Sequence, residues 1–282
     1  MRTERKQQSG SPKKRAAGPK PAARKAVGKR SAPQESAGKG SAASAARQAA
    51  KPKAPAAVSL PEVLARLERA STARDRDNLA RFGIVAAKHY GVSMANVQKL
   101  GRSLGRDHAL ALSLWKSGWY EARLLASFVA DPTQISAALM DAWCRDFDNW
   151  AVCDTLCFYL FDRTPHAWAK VAAWHDRSKE FEKRAAFALL ASLAGHDKAA
   201  SDQRFLDSLR FIEKAAADER NFVKKGVNWA LRRIGWRNAA LNAAAVKLSR
   251  RLADSAEAAP RWIGKDALRE LTSAKVQKRL KA

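Results

Sequence analysis

Cysteine is scarce, with only Cys144, Cys153 and Cys157 in a chain of 282 residues. So small and odd a number excludes a disulfide scaffold, leaves at least one thiol free and points to a reducing compartment. No Cys-x-x-Cys pair is present. Buried thiols are therefore expected rather than a zinc set completed by His166 or His175. No apolar run approaches the roughly 18 residues that a membrane span requires. Acidic side chains are the other deficit: 27 Asp and Glu stand against 53 Lys and Arg, a net charge of +26. That surplus argues against a neutral metabolic enzyme and favours a polyanionic partner: DNA, RNA or an anionic membrane surface. Gly-rich phosphate loops, Ser-His-Asp sets and His-Glu-x-x-His motifs are also missing.

The charge is unevenly spread. Residues 1–58 contain no Phe, Tyr or Trp, and hold 15 basic side chains against Glu4 and Glu35. Half of the net charge thus sits in the first fifth of the chain. A Lys/Arg/Ala/Pro-rich segment of this kind buries too little apolar surface to offset its ordering entropy, and we read it as a disordered basic tail. It has no apolar h-region, so it is not a secretory signal. Its prolines also argue against an amphipathic targeting helix. Two roles fit it: a non-specific DNA tether acting through counterion release, or a solubilising leader. All 22 aromatic residues follow it, within residues 59–282, which form the expected folded domain.

That domain reads as helices. Ala, Leu, Arg, Lys and Glu dominate, and sustained alternation at period two is absent. Breaks fall at Gly91, Gly105, Asp131-Pro132, Thr164-Pro165, Gly195 to Asp197 and Ala259-Pro260. They divide the chain into fourteen segments, among them 73–89, 133–146, 148–162, 165–175, 179–194, 221–235 and 257–271. Segments beginning at Glu121, Glu182, Val223 and Ile263 each open with charge and continue into small and apolar residues. Arg184, Lys225 and Lys265 are spaced by 41 and 40 residues. This is the period of HEAT-like helical hairpins, and an all-α solenoid is the expected fold, with a generic helical bundle as the alternative.

Three helices carry candidate chemistry. In 147–160, Cys153, Leu156, Cys157 and Leu160 form a core stripe. Trp150 and Asp154 lie one turn apart beside that stripe and can point together into a groove. A half-buried Trp next to a surface carboxylate is the plainer reading. In 179–194 the helix is apolar almost all round, so Arg184 needs a partner: a phosphate, or a carboxylate such as Asp154 or Glu182. In 221–236, Val223, Val227, Ala230, Leu231 and Ile234 form the core stripe. Trp229 lies opposite, among Lys225, Arg232, Arg233 and Trp236. A Trp on a basic face suits base stacking beside phosphate contacts, although a solenoid that buries both faces would make it a second core contact.

These segments resemble the DNA alkylation repair family of HEAT-like helical glycosylases. The likeness spans nearly all of residues 78–280. It is carried by Arg81-Phe82-Gly83-Ile84, 90–97, Leu114-Trp115, 119–126, Asp148 to Asp154, Lys183 to Ala186 and Phe222 to Gly235. The resemblance implies a right-handed solenoid whose basic concave face holds duplex DNA, and removal of cationic purines such as 3-methyladenine and 7-methylguanine without flipping the base into a pocket. By it, the catalytic carboxylate is Asp154, the lesion-site indoles are Trp150 and Trp229, and Arg184 contacts phosphate. Lys224, Lys225, Arg232, Arg233 and Arg237 complete the expected DNA-binding set. The implied protein is a monofunctional glycosylase that uses no cofactor and no metal, a monomer in the cytoplasm associated with the nucleoid. Ala151, where a bulky or acidic residue is expected, and the basic tail mark a divergent branch.

Two further readings compete: a non-catalytic solenoid binding damaged or branched DNA, and a protein-binding scaffold with incidental charge. Both DNA readings predict affinity that falls steeply as salt rises, measured as log affinity against log salt concentration. Affinity indifferent to salt supports the scaffold instead.

Overall fold

The computed structural model describes residues 58–281. The expected tail, apart from Val58, lies outside the described residues. The described chain is all helical: α1 (Leu60–Arg69), α2 (Ala73–Arg81), α3 (Met94–Leu104), α4 (His108–Lys116), α5 (Tyr120–Val129), α6 (Ala137–Arg145), α7 (Trp150–Tyr159), α8 (Ala167–Trp174), α9 (Glu180–His196), α10 (Asp202–Ala215), α11 (Asn221–Gly235), α12 (Ala239–Ala253), α13 (Ala258–Leu271) and α14 (Ala274–Leu280). Among these residues there is no strand, and no helix is long and apolar enough to cross a membrane.

Local chemistry sets many of the boundaries. The side chains of Thr72, Ser93, Asp107, Ser136, Asn149 and Asn238 each accept a hydrogen bond from a backbone N–H of the first helical turn that follows. Those donors have no partner inside the helix. Several boundaries differ from the sequence reading, three of them instructively. Pro132 opens a short 3-10 turn, and α6 begins only after Ser136. Pro165 sits in a turn, and α8 begins at Ala167. The expected helix 73–89 ends at Arg81, because Gly83 takes a left-handed φ of 65° just past its C-terminus.

The loop that follows α2 is held by one carboxylate. Glu121 on α5 is fully buried. Its Oε2 accepts from the N–H of Tyr90 (2.9 Å), and its Oε1 accepts from Gly91 (2.7 Å) and Val92 (3.1 Å). Three loop donors are thereby satisfied away from water. Gly91 is obligatory here. Its φ is 83°, and a Cβ would collide with Arg76.

The helices form two layers. In one, α3, α5, α7, α9, α11 and α13 stack in succession; in the other, α8, α10 and α12 lie against α9, α11 and α13. The four repeat-like segments read in the sequence fall on α5, α9, α11 and α13, all in the first layer. The centre is α9, buried without interruption from Arg184 to Ala194. Its alanines let neighbouring helices approach closely, and the Cys153 and Cys157 thiols of α7 lie against the Phe181 and Ala185 carbonyls. All three thiols are free and buried. The seam between α11 and α13 is parallel. Asn228 bonds Asp266 (2.9 Å) and Arg232 bonds Glu270 (2.5 Å), both pairs 38 residues apart. Lys225 and Lys265, the pair 40 apart in sequence, are both exposed.

Gly264 shows how tight the second seam is. A Cβ there would overlap the backbone of Ala253, Ser249 and Leu252 on α12, atoms that cannot rotate away. Gly264→Ala is expected to cost about 1–3 kcal/mol, the usual range for overpacking. The check is the urea midpoint of the intact chain; an unchanged midpoint would show that α12 and α13 can separate freely.

Candidate functional site

Asn149 starts α7 by accepting the Val152 N–H at 3.0 Å. Val152, Cys153, Leu156 and Cys157 then turn fully into the core. What remains partly open is the line Trp150, Asp154, Phe158, one residue per turn, with Tyr159 at the helix end. Trp150 and Asp154 share a cleft of about 420 Å³. Its walls are Asp75, Asn78, Leu79, Phe82 and Ile84 from α2 and the following loop, Val92, Ser93 and Met94 at the entry to α3, Tyr120 and Leu124 of α5, and Ala151 and Thr155 of α7. The Trp150 indole N–H donates to the Phe82 carbonyl at 3.1 Å, which fixes the ring against that loop. Ala151 keeps the cleft open where a larger side chain would narrow it.

The cleft is largely apolar and holds two partly exposed carboxylates, Asp75 of α2 and Asp154 of α7, of which Asp154 is in an ion pair. Arg184 holds it with two parallel bonds, Nε to Oδ1 at 2.8 Å and Nη2 to Oδ2 at 2.7 Å. The third nitrogen, Nη1, donates to the Phe222 carbonyl of α11 at 2.6 Å. The Arg184 side chain is 8% exposed and the Asp154 side chain 19%, so the carboxylate is the accessible partner. Burial pushes the Asp154 carboxyl up from its ordinary range, and the Arg184 guanidinium opposes that shift. Of the partners open in the sequence, the structure gives Arg184 the carboxylate of Asp154. Gly226 of α11 faces the Arg184 side chain, and a Cβ there would be in ordinary contact with its Cγ at 3.4 Å.

The start of α11 is tied to α9 at several further points. Glu180 accepts the Phe222 N–H at 3.1 Å, and Lys183 bonds Asp218 at 3.1 Å. Arg220 clasps Asp218 with two further bonds, Nε to Oδ1 at 2.9 Å and Nη2 to Oδ2 at 2.6 Å. The Asp218 carboxyl is lowered to about 2, chiefly by the Arg220 bond, with Lys183 adding to it against burial. Its depressed value stabilises the fold above the ordinary carboxylate range, and that contribution is lost as pH falls toward 2.

The other sequence-derived residues are dispersed along α11 and just beyond it. Trp229 is half-buried, seven residues or about 10 Å of helix rise beyond Phe222, and does not line the cleft. Lys225 is exposed, while Lys224 places Nζ 5.3 Å from the Trp262 ring centroid. Arg232 is bound to Glu270. Arg233 packs against Gly195, and burial and the nearby Arg279 lower its pKa. Arg237 turns onto the Ala194, Lys198 and Ala200 carbonyls and over the Phe205 ring, closing the junction between α9 and α10. Sequence reasoning missed the loop side of the cleft, Phe82 and Ile84, because it continued α2 through them. The signal available was Gly83 just past the helix end.

A buried pair whose partners depend on each other fails when one is removed. Asp154→Ala and Arg184→Ala are each expected to cost about 3–5 kcal/mol, and the double variant less than their sum. Denaturant unfolding of the four proteins measures this coupling; strict additivity would mean the pair contributes nothing as a unit.

Residues 63–271 match the protein family described as DNA alkylation repair enzyme. No curated protein matches the sequence. A solved structure from work titled "A new family of proteins related to the HEAT-like repeat DNA glycosylases with affinity for branched DNA structures" superposes with a TM-score of 0.65 at 19% identity. The match covers 75% of this chain and 95% of that one. The chain therefore has the HEAT-like all-α fold, and it belongs to the DNA alkylation repair enzyme family.

Proposed function

We propose that the chain is a monofunctional DNA glycosylase that hydrolyses the N-glycosidic bond of cationic alkylated purines, of the 3-methyladenine or 7-methylguanine type, in duplex DNA. The observation that carries this reading is the pairing of a partly exposed carboxylate, Asp154, with the Trp150 ring on one open apolar cleft. In such a substrate the base already carries positive charge. When the C1′–N bond breaks, its electron pair goes to the base, which leaves neutral, and the deficit passes to the deoxyribose. A carboxylate and an aromatic face in a low-dielectric cleft stabilise that developing cation. Water then adds to C1′ and gives up a proton, for which Asp154 is the nearby base. No strong general acid is needed.

In this reading Arg184 is a positioning residue. It aims the Asp154 carboxylate and links it to α11. Lys225, Lys224 and Arg233 would meet phosphates, and Trp229 would present a second ring to the DNA. Arg232 contributes only if it yields its Glu270 partner, and Arg237 acts through the fold.

A second reading, DNA binding without base release, has its own observation: both Asp154 oxygens already accept from Arg184. Free-base release from methylated duplex DNA separates the two. The glycosylase reading predicts release by the wild type and a fall of about 100-fold or more in Asp154→Asn, with DNA affinity retained. Circular dichroism confirms that the variant is folded at the assay temperature. Undiminished release by Asp154→Asn would remove Asp154 from the chemistry. Absence of release from both proteins, with salt-sensitive binding intact, would establish the second reading.

A further inference from the structure

A second meeting of aromatic ring and cations lies on α13, away from the cleft. Trp262, in the opening turns of that helix, is 41% exposed. Its neighbours supply the packing: Ile263 is fully buried and Gly264 lies against the α12 backbone. The fold therefore does not require an indole at this position. Lys224 reaches across from α11, with Nζ 5.3 Å from the ring centroid, and Lys265 stands exposed one turn along α13. Among the described residues neither lysine is in an ion pair. The one carboxylate here, Asp266, is taken up by Asn228 and Arg269. Trp262, Lys265, Asp266 and Arg269, with Arg261, line a shallow depression of about 350 Å³, and Lys224 approaches it over the Trp262 ring. The setting is rigid, because α11 and α13 are bonded in fixed register below it. Trp236, at the far end of the same seam, also lies beside cations. Its N–H, however, is bonded to Glu270 and its ring is half-buried, so it is committed to packing.

We propose that the Trp262 depression binds an unpaired base of a DNA strand. The indole stacks on the base, and Lys224 and Lys265 take the flanking phosphates. Aromatic stacking of this kind reads no sequence, since every base offers a π face, but it requires a face that is free. The interior of a duplex offers none, so the site selects DNA carrying a single-stranded segment. Charge argues for this occupant over a protein: the exposed apolar surface is one ring set among cations, without the contiguous apolar area of a protein interface. The inference rests on the reading that DNA is the partner, and it is independent of whether Asp154 performs chemistry.

The test uses the full chain and fluorescence anisotropy at one salt concentration. The probes are a labelled blunt duplex and the same duplex with a short single-stranded arm. The wild type should prefer the armed DNA by about tenfold, within the range for one stacked base. Trp262→Ala should lose that preference while keeping its affinity for the blunt duplex, and Trp262→Phe should retain most of it. If Trp262→Ala fails to fold, the preference is read in Lys265→Gln instead, which should reduce it. A preference unchanged in Trp262→Ala, or absent from the wild type while blunt duplex is bound, overturns the proposal. Failure of the wild type to bind either DNA would overturn the DNA reading itself.

Discussion

Burying a carboxylate and a guanidinium is tolerable only when each satisfies the other, and the Asp154–Arg184 pair sits where three consecutive layer helices meet. Asp154 comes from α7, Arg184 from α9, and the third guanidinium nitrogen is bound to the Phe222 carbonyl of α11. Each helix has yielded something to this arrangement. α7 turns its apolar stripe away and leaves one carboxylate beside it. α9 is lined with alanines so that its neighbours come close, and α11 gives up the Phe222 carbonyl to the arginine. The register of the central helices and the orientation of the cleft carboxylate are therefore one property of the molecule.

The same economy explains the open side of the cleft. It is built by the loop between α2 and α3, which has little core of its own. Glu121 supplies what that loop lacks, accepting three of its backbone N–H groups from a fully buried position. Trp150 adds a fourth tie through the Phe82 carbonyl. The ring expected to face a cation is thus held by packing against the core and by one bond to the backbone. Its N–H edge is fixed, and the residue still lines the open cleft. A preorganised ring and carboxylate cost no reorganisation when charge develops between them.

Much of this was legible in the sequence because helices announce themselves locally. Breaks such as Gly91 and Gly105 fall close to helix ends, and the period-3.6 stripe of α7 separates Trp150 and Asp154 from the core by geometry alone. The likeness of α5, α9, α11 and α13 to one another pointed to a repeating helical fold, and the structure puts all four in one layer. Long-range bonding was not legible. Nothing near Arg184 distinguishes Asp154 from Glu182 as its partner. That choice depends on how α7 and α9 stack, and Glu182 is claimed instead by Arg177. The intramolecular partners of Arg232 and Arg237 were not legible either. A basic residue on a helix wheel shows its direction but not the carboxylate or carbonyl that awaits it on the next helix. The loop after α2 was misread because a single glycine ended a pattern that was otherwise helical.

The central claim is that the cleft is complementary to a cation held beside Asp154. It is tested most directly at equilibrium, with duplex DNA carrying either a cationic pyrrolidine or a neutral tetrahydrofuran at an abasic position. Complementarity to the charged transition state predicts that the wild type binds the cationic DNA at least tenfold more tightly, and that Asp154→Asn abolishes this difference. Equal affinity of the wild type for the two DNAs would contradict the account, since it would mean that the carboxylate and the ring do not recognise the charge at all.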